Sequence, residues 1–231
     1  MQAIPVIDLM GGEVVRARMG DRASYRPLRS PLSPTSEPGD VVHGLLSVHP
    51  FATLYVADLD AIERRGDNLP SLRRIRAKFP YLKIWIDNGA ADAAALDAII
   101  GADLGIPVVG SESQRDGALI ARAAGTSREV ALSLDFRGEA FQGPAEILAE
   151  PEKWPRRIIV MTLARVGSGA GPDLERLAAI RAIAGAREVY AAGGVRDAAD
   201  LLALKAAGAA GALIASALHE RRIVGADLEA L

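Results

Sequence analysis

The sequence predicts an α/β fold, a (β/α)8 TIM barrel built from two similar half-barrels. Short apolar runs alternate with alanine- and leucine-rich amphipathic stretches, which is the pattern of strand–helix units around a parallel sheet. Eight such units can be counted, and eight units close a barrel. A near-repeat about half the chain apart is the third observation: Ile7-Asp8-Leu9-Met10-Gly11 and Leu134-Asp135-Phe136-Arg137-Gly138.

The predicted strands are apolar runs, and most end at a polar or small residue. In chain order they cover residues 3–8, 53–58, 83–87, 105–109, 130–135, 158–162, 188–192 and 211–215. A helix-like stretch follows each strand. Examples are residues 92–100, 173–184 and 197–207, each opened by an aspartate suited to an N-cap or first turn.

Two stretches depart from the simple repeat. Residues 13–18 continue the first unit as a further strand, and residues 20–40 are rich in Pro, Ser and Arg. The second stretch is predicted to be a long loop that folds over an anionic ligand through Arg22, Arg26 and Arg29, because long loops in compact domains are often lids. The alternative is a passive surface excursion.

Composition predicts one globular domain over residues 1–231. Half of the residues are apolar, the formal net charge is −2 and aromatic residues make up 4%, so neither a basic stripe nor a stacking surface for nucleic acid is present. The absence of cysteine excludes disulfides and thiolate metal sites. No signal peptide and no apolar run long enough for a membrane span is found, so a cytoplasmic protein is expected.

A second internal repeat supports the duplication of a half-barrel. Residues 87–111 run without gaps parallel to residues 192–216, and both stretches read as strand, glycine turn, helix, strand and serine. Gly89 corresponds to Gly194, and Ser111 to Ser216. These matches fall at turns, where the alanine-rich composition cannot produce them by chance.

Three glycine-rich turns predict a phosphate site. Turn N–H groups after barrel strands can bind an anion, and the loops after strands seven and eight often do so. The alternative is that glycine serves turn geometry alone. The predicted phosphate-binding residues of these turns are Gly167, Ser168, Gly169, Gly193, Gly194, Ala215 and Ser216.

The two repeated aspartates, Asp8 and Asp135, predict acid/base catalysis. At equivalent strand ends of two halves they would face each other across the barrel mouth and act as base and acid. Alone, each could be only a turn cap. Asp58 and Asp60 also follow a strand, and they are expected to support the site. The three histidines share no metal-ligand spacing, so no metal site is predicted.

A set of motifs spread over nearly the whole chain carries a family resemblance. These motifs are Ile4-Pro5-Val6-Ile7-Asp8-Leu9, Val14-Val15-Arg16 with Gly20-Asp21, Asp58-Leu59-Asp60, Gly110-Ser111, Leu134-Asp135, Gly171-Pro172, Gly193-Gly194-Val195 and Ala215-Ser216-Ala217. With them the chain resembles the phosphoribosyl isomerase of histidine biosynthesis and its cyclase relative. The resemblance implies a (β/α)8 barrel, no metal or organic cofactor, and a doubly phosphorylated ribonucleotide across the mouth. It also implies that Asp8 is the general base and Asp135 the general acid of an Amadori rearrangement from aminoaldose to aminoketose.

The chain departs from this family at two turns. After the third strand, where the isomerase has a run of glycines, it has Asp87-Asn88-Gly89. After the sixth strand, Met161, Thr162 and Val166 replace a threonine, an acidic residue and an aspartate. The departures favour a divergent paralogue, of the kind associated with one-carbon cofactor metabolism. They also favour a substrate with one phosphate and a neutral or cationic group facing Asp87, unless Asp87 points into the core or pairs with an arginine.

The predicted site therefore has three parts. Asp8 and Asp135 are the catalytic pair, and Gly110 and Ser111 join the phosphate-binding turns. The expected substrate contacts are Arg16, Asp58, Asp87 and Thr162. The partner is a phosphorylated small molecule, and the oligomeric state is left open.

Three functions remain open from the sequence. The first is an isomerase of aldose–ketose type on a phosphorylated sugar-like substrate. The second is another acid/base step on the same scaffold in the assembly of a cofactor. The third is a non-catalytic binding barrel, which the two aspartates disfavour because an anion binder would gain by losing them.

Overall fold

Eight strands of the computed structural model form one closed ring. The structure describes residues 1–17, 21–126 and 129–231. The strands of this described part are β1 (Gln2–Met10), β2 (Glu13–Arg16), β3 (Arg26–Pro27), β4 (Thr53–Asp58), β5 (Lys83–Asp87), β6 (Ile106–Gly110), β7 (Ala131–Arg137), β8 (Ala140–Phe141), β9 (Arg157–Thr162), β10 (Glu188–Ala192) and β11 (Gly211–Ile214). Eight of them pair in parallel in the order β1, β4, β5, β6, β7, β9, β10, β11, and β11 returns to β1. The predicted (β/α)8 barrel is confirmed.

Helices surround this ring and cover its outer face. In the described residues they are α1 (Pro38–Val48), α2 (Leu59–Ile62), α3 (Leu69–Lys78), α4 (Ala93–Ala102), α5 (Ala118–Ala124), α6 (Ala145–Ala149), α7 (Leu174–Ala184), α8 (Ala198–Ala206), α9 (Ser216–His219) and α10 (Gly225–Glu229). No described helix has the length and apolar character that crossing a bilayer requires. The apolar core has an outer layer between strands and helices and an inner layer inside the barrel.

The predicted helix starts are confirmed by their caps. Asp92, Asp173 and Asp197 each lie just before a helix and accept a hydrogen bond from the backbone N–H three residues on, at 2.9–3.1 Å. Such a bond satisfies an amide that has no partner in the first helical turn. The helices therefore begin one residue later than predicted.

Strand bounds differ most where the chain forms hairpins. β1 and β7 run two residues past Asp8 and Asp135, because each turns back into an antiparallel partner, β2 or β8. Gly11 and Gly138 make these turns at φ +59° and +57°. Asp8 and Asp135 thus lie inside strands rather than at their last residues, which corrects the predicted ends.

The two halves adopt matching geometry at matching positions. Gly89 and Gly194 both have positive φ, at +67° and +92°. Trp85 of β5 and Tyr190 of β10, which precede the aligned residues by two, meet edge to face with ring centroids 5.0 Å apart. Equivalent positions of the halves therefore touch in the barrel interior.

The stretch predicted as a long loop is partly ordered secondary structure. A 3-10 turn covers Arg22–Ser24, and β3 pairs with β2. Helix α1 begins at Pro38, capped by Glu37, so the loop ends three residues before the predicted Asp40. We call residues 21–37 the rim segment. The predicted limits Arg18 and Gly20 lie outside the described residues.

Candidate active site

Strand alternation brings three aspartates to one end of the barrel. Asp8 of β1, Asp87 of β5 and Asp135 of β7 come from the first, third and fifth barrel strands, and alternate strands contribute to the same interior layer. A Cβ placed on Gly110 would lie 3.4 Å from Asp135 Oδ2 and 3.7 Å from Asp87 Oδ2. The two carboxyls therefore crowd around Gly110, which explains the small residue there.

These aspartates open into a cavity of about 350 Å³. A volume of this size suits a small-molecule ligand. The predicted residues that line the cavity are Asp8, Asp87, Asp135, Gly167, Ser168, Gly169, Gly193, Gly194, Ala215 and Ser216. The carboxyls and the three glycine-rich turns thus share one cavity.

Asp135 is held by neutral donors. Its Oδ1 accepts the hydroxyl of Ser133 at 2.7 Å. Its Oδ2 accepts from the Ser111 hydroxyl at 3.1 Å and from the Glu112 N–H at 3.2 Å. The carboxyl is fixed in orientation, and it is 4% exposed.

Asp87 faces the cavity with both oxygens engaged. Its Oδ2 accepts the hydroxyl of Tyr55 at 3.0 Å, and its Oδ1 accepts the N–H of Gly89 at 3.1 Å. The alternative that Asp87 points into the barrel core is therefore wrong, because its side chain lines the cavity. Asp8 lines the same cavity from β1.

Burial raises the pKa of all three carboxyls toward neutral pH. It raises the pKa of Asp8 to about 7, although nearby Arg22 lowers it and Asp87 raises it further. Burial also raises the pKa of Asp135 to about 7, with added repulsion from Asp87 and Glu112. The pKa of Asp87 rises to about 6 for the same reason, opposed by the bonds from Gly89 and Tyr55. Near pH 7 one carboxyl can hold a proton while another is ionised.

The glycine turns are shaped by close backbone approaches. A Cβ on Gly193 would lie 2.6 Å from the Thr162 carbonyl oxygen, and one on Gly194 would lie 2.2 Å from that of Gly171. Both glycines also have positive φ, at +99° and +92°. Backbone geometry alone requires glycine at both positions. Both glycines therefore serve the geometry of the turn and also line the cavity wall.

Two predicted substrate contacts are corrected. Asp58 is 1% exposed, and its oxygens accept from the N–H groups of Ala61 and Asn68 and from the Asn68 side chain, so it braces a loop. Thr162 is buried, whereas its neighbours Met161 and Leu163 line the cavity. The side chain of Met161 points inward, and alternation along β9 turns that of Thr162 away.

The second predicted phosphate turn is also corrected. Ser111 is fully buried, and its hydroxyl serves Asp135 and the Gln142 carbonyl. Gly110 accepts from the Gln114 amide and does not line the cavity among the described residues. Arg16 is paired with Glu220 at 3.0 Å, beside the cavity rather than in its wall.

The rim segment supplies a residue that the predicted site did not include. Arg22 lines the cavity and pairs with Glu112 at 2.7 Å and with Glu63 at 4.0 Å. Arg26 instead donates to carbonyls of its own segment, those of Ala23 and Tyr25. Of the loop arginines expected to cover a ligand, Arg22 reaches the cavity.

The predicted site also lacks Tyr55 and Ser133. Each lies at an inward position of its strand, and Ser133 is two residues before Asp135. The period-two rule applied backwards from Asp135 finds Ser133. No comparable signal exists for Tyr55 or Glu112. Within the described residues, no group of three His, Asp or Glu side chains is arranged to hold a metal ion.

The fold and the cavity define a class of protein: a (β/α)8 barrel whose strand aspartates share one cavity with glycine-rich turns. A family model described as histidine biosynthesis protein matches residues 2–224. The chain belongs to this family, as the sequence resemblance predicted.

Individual relatives cover nearly the whole chain. A Thermus thermophilus protein named 1-(5-phosphoribosyl)-5-((5-phosphoribosylamino)methylideneamino) imidazole-4-carboxamide isomerase is 32% identical over 239 residues, 96% of each chain. The isomerase of the same name from Stenotrophomonas maltophilia is 28% identical, over 95% of this chain and 94% of the relative. An uncharacterized protein of Methanocaldococcus jannaschii is 25% identical, with the same coverage. The expectation of an isomerase-type enzyme agrees with the names of the first two.

Proposed function

We propose that this chain is an isomerase that moves protons on a phosphorylated, sugar-like substrate by means of Asp8 and Asp135. The observation that carries the proposal is a pair of carboxyls in one cavity, both with a pKa raised to about 7 by burial. Carboxyls tuned in this way suit acid and base roles at neutral pH. The names of the relatives supply the substrate class, a phosphoribosyl compound.

The proposed reaction needs four proton transfers on the sugar, two that open the ring to an enaminol and two that convert the enaminol to a ketone. The acid, Asp135, protonates the ring oxygen while the nitrogen lone pair expels it, so the C1–O bond breaks. The base, Asp8, removes the proton from C2 to give an enaminol. Asp8 then returns this proton to C1, and the C2 hydroxyl becomes a ketone as it gives its proton to the ionised Asp135, which restores both carboxyls. No atoms are gained or lost, and no redox partner is needed.

The phosphate of the substrate is assigned to the three glycine-rich turns. Gly167, Ser168, Gly169, Gly193, Gly194, Ala215 and Ser216 line the cavity together. Turn N–H groups favour a phosphate oxygen, and the loops after the last barrel strands are a frequent phosphate site in this architecture.

A second candidate, an acid/base step on a singly phosphorylated substrate, is favoured by the opposite turns. There the N–H of Gly89 is taken by Asp87, and the N–H of Glu112 by Asp135. A carboxylate about 4 Å from a phosphate costs about 4 kcal/mol per unit charge at an effective dielectric near 20. This exceeds what a few backbone hydrogen bonds, about 1 kcal/mol each, would return.

Replacing the proposed base tests the main proposal. Asp8→Asn keeps the size of the side chain but removes proton transfer, so turnover of the doubly phosphorylated imidazole carboxamide aminoaldose should fall by roughly two to four orders of magnitude, with little change in ligand affinity. Asp135→Asn should do the same. Asp97→Asn, in an exposed pair with Arg122, is the control. An active Asp8→Asn enzyme would refute the assignment.

Titration with the doubly phosphorylated substrate decides between the candidates. The singly phosphorylated candidate predicts weak binding by the wild type and tighter binding by Asp87→Gly, because the variant loses a carboxylate and frees the Gly89 N–H. Calorimetry on both proteins gives the two dissociation constants. Tight wild-type binding that is unchanged in Asp87→Gly would show that a second phosphate is accepted beside Asp87, and the singly phosphorylated candidate would be rejected.

A further inference from the structure

Arg22 is a cation placed among the acids of the cavity. Its guanidinium is 2.7 Å from Glu112 and 4.0 Å from Glu63, and its side chain lines the same cavity as Asp8 and Asp87. The guanidinium favours the ionised form of both aspartates. It arrives from the rim segment, outside the eight barrel strands.

Asp135 has a different environment. Its contacts within the described residues are the hydroxyls of Ser133 and Ser111 and the Glu112 N–H, all neutral. The charges that act on it most strongly are those of Asp87 and Glu112, which oppose ionisation. The two carboxyls line one cavity but differ in exposure, since Asp8 is partly exposed and Asp135 is buried, and they also differ in the charge beside them.

Other groups face Asp8 from each neighbouring element. Tyr55 comes from β4 and Asp87 from β5. Arg16 of β2 and His219 of α9 line a small adjoining cavity with Asp8. Burial lowers the pKa of His219 to about 4, so this imidazole is neutral near pH 7. The remaining charged groups in the wall of the main cavity are Glu112, Asp135, Arg137, Glu220 and Arg222.

We propose that Arg22 is a positioning residue, whose guanidinium keeps Asp8 ionised as the base and leaves Asp135 to hold the proton as the acid. The inference rests on the proposed function and deepens it. It also gives the rim segment a chemical role. The segment is fastened beside the phosphate turns by Ser30 to His219 at 3.0 Å and by Pro31 to Arg221 at 3.1 Å, so its placement over the mouth delivers the charge.

Direct titration of Asp8 tests this without any substrate. In protein labelled with ¹³C at the aspartate carboxyls, Asp8→Asn assigns the Asp8 signal. Arg22→Gln should raise the midpoint of the Asp8 titration by about one pH unit, because an opposite charge has been removed. Arg22→Lys should restore most of the wild-type midpoint, and Arg26→Gln, on the same segment, should leave it unchanged.

The pH profile of kcat/KM provides the second readout. In Arg22→Gln the acidic limb should move upward with the Asp8 midpoint, which gives about a tenfold loss near pH 6 that shrinks at higher pH. A loss of packing alone would lower the rate equally at every pH. If the wild type has no isomerase activity but the midpoint still moves, the proposed function fails and the role of Arg22 on Asp8 survives.

Glu112→Gln covers the case in which Arg22→Gln does not fold. It removes the nearest counter-charge of Arg22, so the Asp8 midpoint should fall. A folded Arg22→Gln protein with an unchanged midpoint would overturn the proposal. So would an equal shift in Arg26→Gln, or a midpoint in Glu112→Gln that stays or rises.

Discussion

At the scale of single residues, the site depends on carboxyls such as Asp135 that, among the described residues, are not paired with a positively charged side chain. Asp135 keeps a raised pKa although two hydroxyls and an N–H donate to it, because burial outweighs these bonds. Asp200, at the start of α8, is the contrast within the chain. It pairs with Arg196 at 2.8 Å, and this lowers its pKa. The same residue type is thus a structural ion in one place and a titrating group in the other.

Gly194→Ala should selectively damage the turn proposed to bind phosphate. The new Cβ would meet the Gly171 carbonyl at a position 2.2 Å away, at φ +92°, so the turn must move. We expect at least a tenfold loss of inorganic phosphate binding and a fall of roughly 1–3 kcal/mol in the free energy of unfolding. Calorimetry and urea denaturation measure the two effects.

Gly11→Ala is the matched control for this substitution. Gly11 also has positive φ, at +59°, but its Cβ would have no neighbour within 4 Å. It should lose stability through strain, by about 1–2 kcal/mol, and keep phosphate binding. If Gly194→Ala binds phosphate as the wild type does, the turn is not the phosphate site.

How much of the site could be predicted differs from residue to residue. Asp8 and Asp135 were found because each ends an apolar run in a repeated motif. Thr162 was misplaced by one position, and a shift of one residue reverses the face of a strand. Arg22 was recognised only as one of three loop arginines, because the path of a loop depends on distant contacts such as Ser30 with His219.

At the scale of elements, the rim segment bridges two sides of the barrel mouth. Ser30 and Pro31 fasten it to the stretch that follows β11, and Arg22 fastens it to the turns after β4 and β6. Helix α1 supports it from outside. Gly44 of this helix lets the Leu32 carbonyl approach so closely that a Cβ would lie 2.0 Å from its oxygen. The segment therefore has defined contacts near its start, at Arg22, and in its second half, at residues 30–32.

Limited trypsin digestion tests whether this segment acts as a lid. Arg22 and Arg29 provide cleavage sites within it, whereas Arg26 is followed by Pro27, a bond that trypsin does not cut efficiently. Addition of substrate should slow cleavage here, because a ligand in the cavity holds the segment in place. Ser30→Ala, which loses the bond to His219, should be cleaved about fivefold faster, as expected for about 1 kcal/mol.

The control for the digestion is Ser47→Ala in α1, where the hydroxyl bonds only within its own helix, to the Gly44 carbonyl. It should match the wild type. Equal cleavage with and without substrate would instead favour the passive surface loop that the sequence left open.

At the scale of the whole molecule, the acidic layer formed by Asp8, Asp87 and Asp135 makes the free energy of unfolding depend on pH. The pKa values of Asp8, Asp87 and Asp135 are raised above the ordinary 3.8, so the folded state binds more protons than the unfolded chain. Their contribution to stability is therefore present below about pH 4 and is lost as the pH rises through 6 to 7. His219 acts in the opposite direction between pH 4 and 6.5, because its folded pKa is lowered.

Asp87→Asn should therefore stabilise the protein in a pH-dependent way. The free energy of unfolding of the variant, relative to wild type, should be higher at pH 8 than at pH 4.5 by roughly 2 kcal/mol, from about 1.4 kcal/mol per pKa unit. Urea denaturation at the two pH values gives this difference, in which the His219 contribution cancels. Asp97→Asn should show no such change, and a difference that is constant with pH would contradict the raised pKa of Asp87.

The edge-to-face contact of Trp85 with Tyr190 has an optical consequence. Trp85 lies one inward position below Asp87 on β5, whereas the other tryptophan, Trp154, belongs to the outer core and donates to the Ile147 carbonyl. Replacing Trp154 with phenylalanine would leave a single indole, directly under the acidic layer. Its emission would then respond to the electric field above it, so that uptake of a proton or arrival of an anion becomes visible as a change in colour and intensity. Trp85 would thus be an intrinsic fluorescence probe of the cavity.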